Sequence, residues 1–218
     1  MIPKIIHYCW YGGNEKPYLI RKCISSYSKL CADKVIEWNE SNCQFNENQF
    51  IRDAFALKGW AFVSDYYRLK ALYEYGGIYL DTDVRIEKPF DDKFYKADIV
   101  FGYMYDNALS TAVMMSTPHH PIIKKLLEWY ESNSYNPSSP NNGVLTNFIL
   151  DTYPEFKLNG KFCEFDKNCF LYPKEYFEVP TLRSFNRGGV FCSFLLTILE
   201  TAKWHKKGYK AIGEKNTV

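Results

Sequence analysis

The sequence predicts an α/β domain with a largely parallel sheet, and three observations carry that reading. The chain opens as strand, helix, strand, with an apolar run over residues 2–9, a helical spacing over 17–30 and a second strand pattern over 34–38. A longer helical pattern over 61–75 ends at Gly76-Gly77 and passes at once into the short apolar run Ile78-Tyr79-Leu80. Two further strand-like runs, 99–102 and 112–115, precede a helix over 121–132. Such alternation lays helices over a parallel sheet whose ligands gather beyond the carboxyl ends of the strands.

Taken in order, the first strand runs into Trp10-Tyr11-Gly12-Gly13, where paired glycines permit a tight turn. The second ends at the polar cluster Asn39-Glu40-Ser41-Asn42. In the long helix Phe62, Tyr66, Leu69, Leu72 and Tyr73 recur at helical spacing, and the glycines that follow read as a left-handed cap. The strand over 78–80 then delivers Asp81-Thr82-Asp83, with Val84-Arg85-Ile86 and Lys88-Pro89 beyond. Pro121 suits the first turn of the later helix. Residues 134–142 are rich in Ser, Asn and Pro and read as a loop, and beyond Asp151 the pattern is less regular. One domain over 1–218 is expected.

Composition narrows the chemistry. Lys plus Arg number 27 against 25 Asp plus Glu, so the net charge of +2 supplies no general field for gripping nucleic acid. The seven cysteines are odd in number and form no C-x-x-C pair, which points to a reduced, cytoplasmic chain. No apolar stretch approaches the roughly 18 residues of a membrane span, so a soluble or peripheral protein is expected.

Asp81-Thr82-Asp83 is the strongest local signal. Two carboxylates one residue apart at a strand end supply the hard oxygen ligands that Mg²⁺ or Mn²⁺ prefers and leave positions for phosphate oxygens; a solvated acidic turn is the plain alternative. Asp65 and Arg68 share one helix face, where the acid suits sugar hydroxyls and the guanidinium suits phosphate, unless they are an ordinary surface ion pair. Trp10 at the first strand end suits stacking on a base, or core packing, and His7 is either a site residue or an interior imidazole.

The ordered series 2–10, Trp38-Asn39 and 60–83, with its Trp, Ser-Asp-x-x-Arg and Gly-Gly-x-Tyr-x-Asp-x-Asp elements, resembles glycosyltransferase family 32 over about the first half of the chain. That family holds bacterial surface-polysaccharide transferases and yeast mannosyltransferases, and its Asp-x-Asp region is similar to the catalytic domains of the large clostridial glucosylating toxins. The resemblance implies a GT-A type fold, a single Rossmann-like nucleotide-binding domain. Residues 1–115 would form the nucleotide-sugar-binding core and 116–218 the acceptor-side and closing segments. It implies transfer of a hexose from a nucleotide-diphosphate sugar, UDP-hexose or GDP-mannose, to a glycan or lipid-linked acceptor. Mn²⁺ (or Mg²⁺) would assist, and the anomeric configuration would be retained. The implied catalytic set is Asp65, Arg68, Asp81 and Asp83. Trp10 would stack on the base, Asn39 and Ser64 would line the nucleotide pocket, Tyr79 would approach the nucleotide, and His7 would lie on the donor side.

The second half departs from the family pattern. Asn142-Gly143-Val144-Leu145-Thr146 resembles a donor-lining segment but carries Val144 where proline is usual. In place of a terminal His-His pair stand Glu200 and Trp204; the resemblance offers Glu200 as a third metal ligand beside Asp81 and Asp83, and Trp204 with Asn142 and Gly143 as donor contacts. Two rival readings follow, a nucleotide-sugar-binding relative without turnover and a haloacid-dehalogenase-type phosphotransferase built on the same Asp-x-Asp. The latter lacks a suitably placed later acidic pair, since Asp91-Asp92 follows too closely. Basic residues Arg183, Arg187, Lys203, Lys206, Lys207 and Lys210 among aromatics suggest peripheral contact with the inner face of a membrane.

Overall fold

The computed structural model describes residues 1–138, 141–177 and, as backbone, 190–192. A seven-stranded sheet forms its centre, in the order β2 (Lys34–Trp38), β1 (Ile5–Cys9), β3 (Gly77–Leu80), β6 (Ala108–Ser116), β5 (Ile99–Tyr105), β8 (Cys169–Tyr172) and β7 (Cys163–Asp166). β2, β1, β3, β5 and β8 run one way; β6 and β7 oppose them. The mainly parallel α/β arrangement expected from the sequence is present. Beside it β4 (Val84–Ile86) pairs antiparallel with β9 (Val190–Cys192).

Strand β3 shows how the sheet divides two cores. Ile78 and Leu80 face one apolar cluster with Ile6, Tyr27, Phe94, Val100 and Met115, while Tyr79 faces the other with Val63, Leu72, Ile123, Leu126 and Ile149. Side chains alternate across a strand, so a strand covered on both faces must be apolar throughout. Helices α2 (Gln49–Ala56), α3 (Trp60–Tyr75), α5 (Pro121–Ser132) and α6 (Asn141–Thr152) contribute to the second core, and α4 (Asp92–Lys96) to the first.

Several elements differ in detail from expectation. The helix over 17–30 is α1 (Tyr18–Ser25) followed by a 3₁₀ turn over Ser26–Leu30. Hydroxyls of Ser25, Ser26 and Ser28 bond back to the carbonyls of Lys22, Cys23 and Ser25, competing with the α-helical ladder. Helix α2 went unread, although Asn48 caps it by accepting from the Ile51 amide at 2.9 Å. The loop expected over 134–142 is cut short, because α6 begins at Asn141. The irregular stretch past Asp151 contains the β7–β8 hairpin, whose turn uses Asn168 at φ 56°. Among the described residues no helix is long and apolar enough to cross a membrane.

The glycine pair is a constraint on the sheet itself. Gly76 has φ 63° and ψ −167°, so it ends α3 in an extended mirror conformation rather than the left-handed helical cap expected. Gly77 has φ 105°, and a Cβ there would stand 2.4 Å from the Ile5 carbonyl oxygen. Only glycine lets β3 lie this close to β1. Gly77→Ala should therefore lose about 2 kcal/mol or more in urea unfolding; a change below about 0.5 kcal/mol would show that the strand tolerates a side chain there.

Candidate active site

Parallel pairing sets the site. β1, β2 and β3 run together, with Cys9 opposite Trp38 and His7 opposite Tyr79, so the residues that follow each strand emerge along one edge. That edge carries Trp10, Asn39 and Asp81. The Asp81 amide donates to the Ala112 carbonyl at 2.9 Å, and the Asp81 carbonyl accepts from the Val84 amide and the Tyr27 hydroxyl, each at 2.9 Å. The Cys23 thiol donates to the Asp83 carbonyl at 3.5 Å. The turn bearing both carboxylates is thus held through its backbone, and the side chains of Asp81 and Asp83 are half-buried at its surface.

Behind the turn lies a buried polar network rooted in α3. Arg68 Nη1 donates to the Thr111 carbonyl at 2.7 Å and lies 3.2 Å from Asp81 Oδ1, and Nη2 meets Asp65 Oδ1 at 2.9 Å. Its guanidinium sits 4.6 Å from the centre of the Tyr79 ring, whose hydroxyl donates to Asp81 Oδ1 at 3.0 Å. Asn141 Nδ2 donates to Asp65 Oδ1 at 2.9 Å, and Asn141 in turn accepts from the Tyr130 hydroxyl at 2.8 Å. Asp65 and Arg68 are only 6% and 5% exposed, which removes the surface ion-pair alternative.

The electrostatics follow from that burial. Desolvation pushes the Asp65 carboxyl up to about 6, against the opposing pull of Arg68 and with a further push from Asp81. Burial alone would lower the Arg68 pKa, but Asp81, Tyr79 and Asp65 around it more than compensate and hold it charged. One guanidinium thus stands between Asp65 and Asp81, beside the turn that also carries Asp83. Carboxylates grouped at a strand end suit a cation.

The residues present fit a divalent ion of the magnesium or manganese kind. Among the described residues no cluster of three or more His, Cys, Asp or Glu side chains makes a complete metal cage. Two carboxylates on one turn are instead the partial oxygen set that such ions accept when water and substrate phosphates complete the shell. Asp81 Oδ1 receives Tyr79 and Arg68, so Asp81 would hold such an ion through its other carboxylate oxygen, with Asp83 beside it. Glu200 and Trp204 lie outside the described residues, as do the basic residues from Arg183 onward.

The remaining predicted residues separate. His7 is fully buried; its Nε2 donates to the Gly76 carbonyl at 2.9 Å and its Nδ1 accepts from Trp38 Nε1 at 3.2 Å. Both nitrogens are engaged inside the protein, so it offers none to a donor and instead ties β1 to β2 and to the end of α3. Burial, only partly opposed by the Gly76 bond, drops its pKa to about 4 from the usual 6.5. The unfolded chain binds a proton below 6.5 where the fold refuses it, so His7 stabilises the fold fully above pH 6.5 and progressively less as pH falls towards 4. About 2.5 kcal/mol should be lost over that window in wild type and most of that dependence should vanish in His7→Gln, by urea titrations at pH 7 and 4.5. Equal pH slopes in the two proteins would show that another group titrates.

Trp10 is half-buried, with Nε1 donating to the Asn14 carbonyl at 2.8 Å and Lys16 Nζ 5.6 Å from its ring centre. Lys16 pairs with Glu37 at 2.9 Å, and Asn39 Nδ2 donates to the same carboxylate at 3.2 Å. Ser64 donates to the Trp60 carbonyl at 2.9 Å. Asn142 accepts from Thr111 Oγ1 at 2.7 Å, one residue from the network, and Gly143 in the same helical turn lines a separate cavity. Sequence reasoning missed Thr111, Tyr130 and Asn141. Asn141 carried a signal as neighbour of Asn142; the others act through a carbonyl and a phenol that no motif marks.

Comparison with known proteins agrees with this geometry. Residues 14–100 match the family described as a glycosyltransferase sugar-binding region containing a DXD motif. The chain is 27% identical over 170 residues to an uncharacterized glycosyltransferase of Acanthamoeba polyphaga mimivirus, covering 73% of this chain and 68% of that one. It is 25% identical over 174 residues to inositol phosphoceramide mannosyltransferase 1 of Schizosaccharomyces pombe, covering 75% of this chain but 52% of the yeast protein. In three dimensions it resembles the PaToxG glycosyltransferase, with a TM-score of 0.56 at 20% identity over 70% of each chain. A glycosyltransferase involved in glycosylation of the major capsid of PBCV-1 also resembles it, at 0.51 and 10% identity over 94% of this chain and all of the other. Residues 14–100 thus match a glycosyltransferase sugar-binding region, and Asp81-Thr82-Asp83 is the Asp-x-Asp sequence within the matched residues.

Proposed function

We propose that the chain moves a hexose from a nucleotide-diphosphate donor to a glycan or lipid-linked acceptor with retention of configuration, aided by Mn²⁺ or Mg²⁺ at Asp81 and Asp83. The observation that carries this reading is the buried Asp65–Arg68 pair held against Asp81 of the half-buried acidic turn, at the edge where Trp10 and Asn39 also emerge. A cation bound at the turn would neutralise charge on the departing diphosphate.

The chain's own groups divide the remaining work. Trp10 offers a ring to the base, and Asn39 lies beside it. Arg68 is locked by four acceptors, the carbonyls of Ser64 and Thr111 and the carboxylates of Asp65 and Asp81, and so contributes a fixed positive charge that needs no reorganisation as charge builds on the leaving group. Asp65 takes both of its bonds on Oδ1, which leaves Oδ2 to accept from a hydroxyl of the donor sugar.

Thermal-shift and hydrolysis screens across UDP- and GDP-sugars, with and without Mn²⁺, test the proposal. The name of the fission-yeast relative puts a mannosyl donor among the first to try. One donor should raise the melting temperature selectively, in a metal-dependent way, and should be cleaved to the sugar of unchanged anomeric form. A stability gain without sugar release would favour a binding protein that lacks turnover, and no response to any donor would overturn the reading.

A further inference from the structure

Helix α6 has a second face with no part in the network just described. Its first residue, Asn141, bonds Asp65, and its second, Asn142, bonds Thr111. From the next residue onward the helix lines a cavity of about 460 Å³, with Gly143, Asn147 and Asp151 at successive turns, Phe148 between them, and Trp129 of α5 opposite. That volume lies within the range of small-ligand sites. Trp129 also lines an adjoining depression of about 120 Å³, together with Tyr130, Asn133, Ser134 and Asn136.

Resting on the proposed transferase reading, we infer that this face binds the acceptor, as an oligosaccharide of more than one unit. Three features converge on that class. An indole and a phenyl ring give flat apolar surfaces that fit the C–H faces of pyranose rings. Asn147 and Asp151 are exposed, and no hydrogen bond or ion pair among the described residues engages either side chain, so a planar amide and a carboxylate stand ready for pairs of adjacent hydroxyls. The two depressions share one wall at Trp129, which gives consecutive stations along a chain rather than one closed pocket. The helix start that touches the Asp65 network and the cavity wall belong to one element, α6.

The test compares acceptors of different length on variants of the cavity. Asn147→Ala and Asp151→Asn change exposed helix positions and should fold normally; Trp129→Ala, whose ring also packs on Tyr130, is the stronger but less conservative variant. Each is assayed for donor hydrolysis by water and for transfer to p-nitrophenyl glycosides of glucose, galactose and mannose with one, two and three units. Hydrolysis and single-unit transfer should stay within about twofold of wild type, while KM for two- and three-unit acceptors should rise roughly tenfold. Saturation-transfer NMR with the same saccharides reads binding without turnover, so it separates failure of this site from failure of the transferase reading. Variants that use long acceptors as well as wild type does, an equal loss in hydrolysis, or a wild type that binds none of the saccharides would each overturn the assignment.

Discussion

Asp83→Asn should reduce both donor hydrolysis and transfer by roughly a hundred- to a thousandfold or more, without restoration by added Mn²⁺, while the fold stays intact. The proposed role of Asp83 is to carry a metal-binding charge, and stabilising groups aimed at a leaving oxyanion have effects of that size. The backbone explains why the fold should survive. Tyr27 and Cys23 hold the turn through the carbonyls of Asp81 and Asp83, and the Asp81 amide bonds Ala112; none of these needs the Asp83 carboxylate. Stability should change far less than activity does. Asp81→Asn makes the contrast, since its carboxylate receives Arg68 and Tyr79 and its loss should lower activity and stability together. Activity of Asp83→Asn within severalfold of wild type at saturating metal would remove Asp83 from the metal site.

The parts of this site that were legible in the sequence are those where local chemistry and strand geometry coincide. An apolar run ending in Asp81-Thr82-Asp83 can only put its acids at a strand end, and parallel pairing then brings Trp10 and Asn39 to the same edge. Asp65 and Arg68 were readable as one helix face, but not as buried, because a three-residue spacing is equally that of a solvated pair. What was lost came from tertiary contacts and competing local signals. His7 looked like a site residue from its position near the first strand end, yet its neighbours across the sheet claim both nitrogens. The start of α6 at Asn141 was hidden under a stretch whose Ser, Asn and Pro content reads as loop, and with it the hydrogen bond from Asn141 to Asp65.

Arg68→Met should destabilise the protein by about 3–5 kcal/mol, because it removes one partner of a buried ion pair and strands the other. For a chain of this size that is a fall of roughly 10 °C in melting temperature. Met replaces much of the apolar stem and keeps contact with the Tyr79 ring, so the loss reflects charge rather than volume. The cost falls on Asp65, which is almost wholly buried, more than on Asp81, whose side chain is 33% exposed and can be met by water. Without Arg68 the Asp65 carboxyl, already raised to about 6 by burial, should rise further. A carboxyl whose folded pKa lies above its unfolded value near 4 binds its proton more readily in the fold, so stability falls as pH rises through that interval. The deficit of Arg68→Met relative to wild type should consequently be larger at pH 8 than at pH 5, a dependence that loss of packing would not produce. Arg68→Met/Asp65→Leu should recover most of the deficit, since it leaves no unpaired buried charge behind. A deficit below about 1 kcal/mol with no pH dependence would mean that water reaches Asp65, and that the network behind the acidic turn is not the closed, charge-balanced scaffold described above.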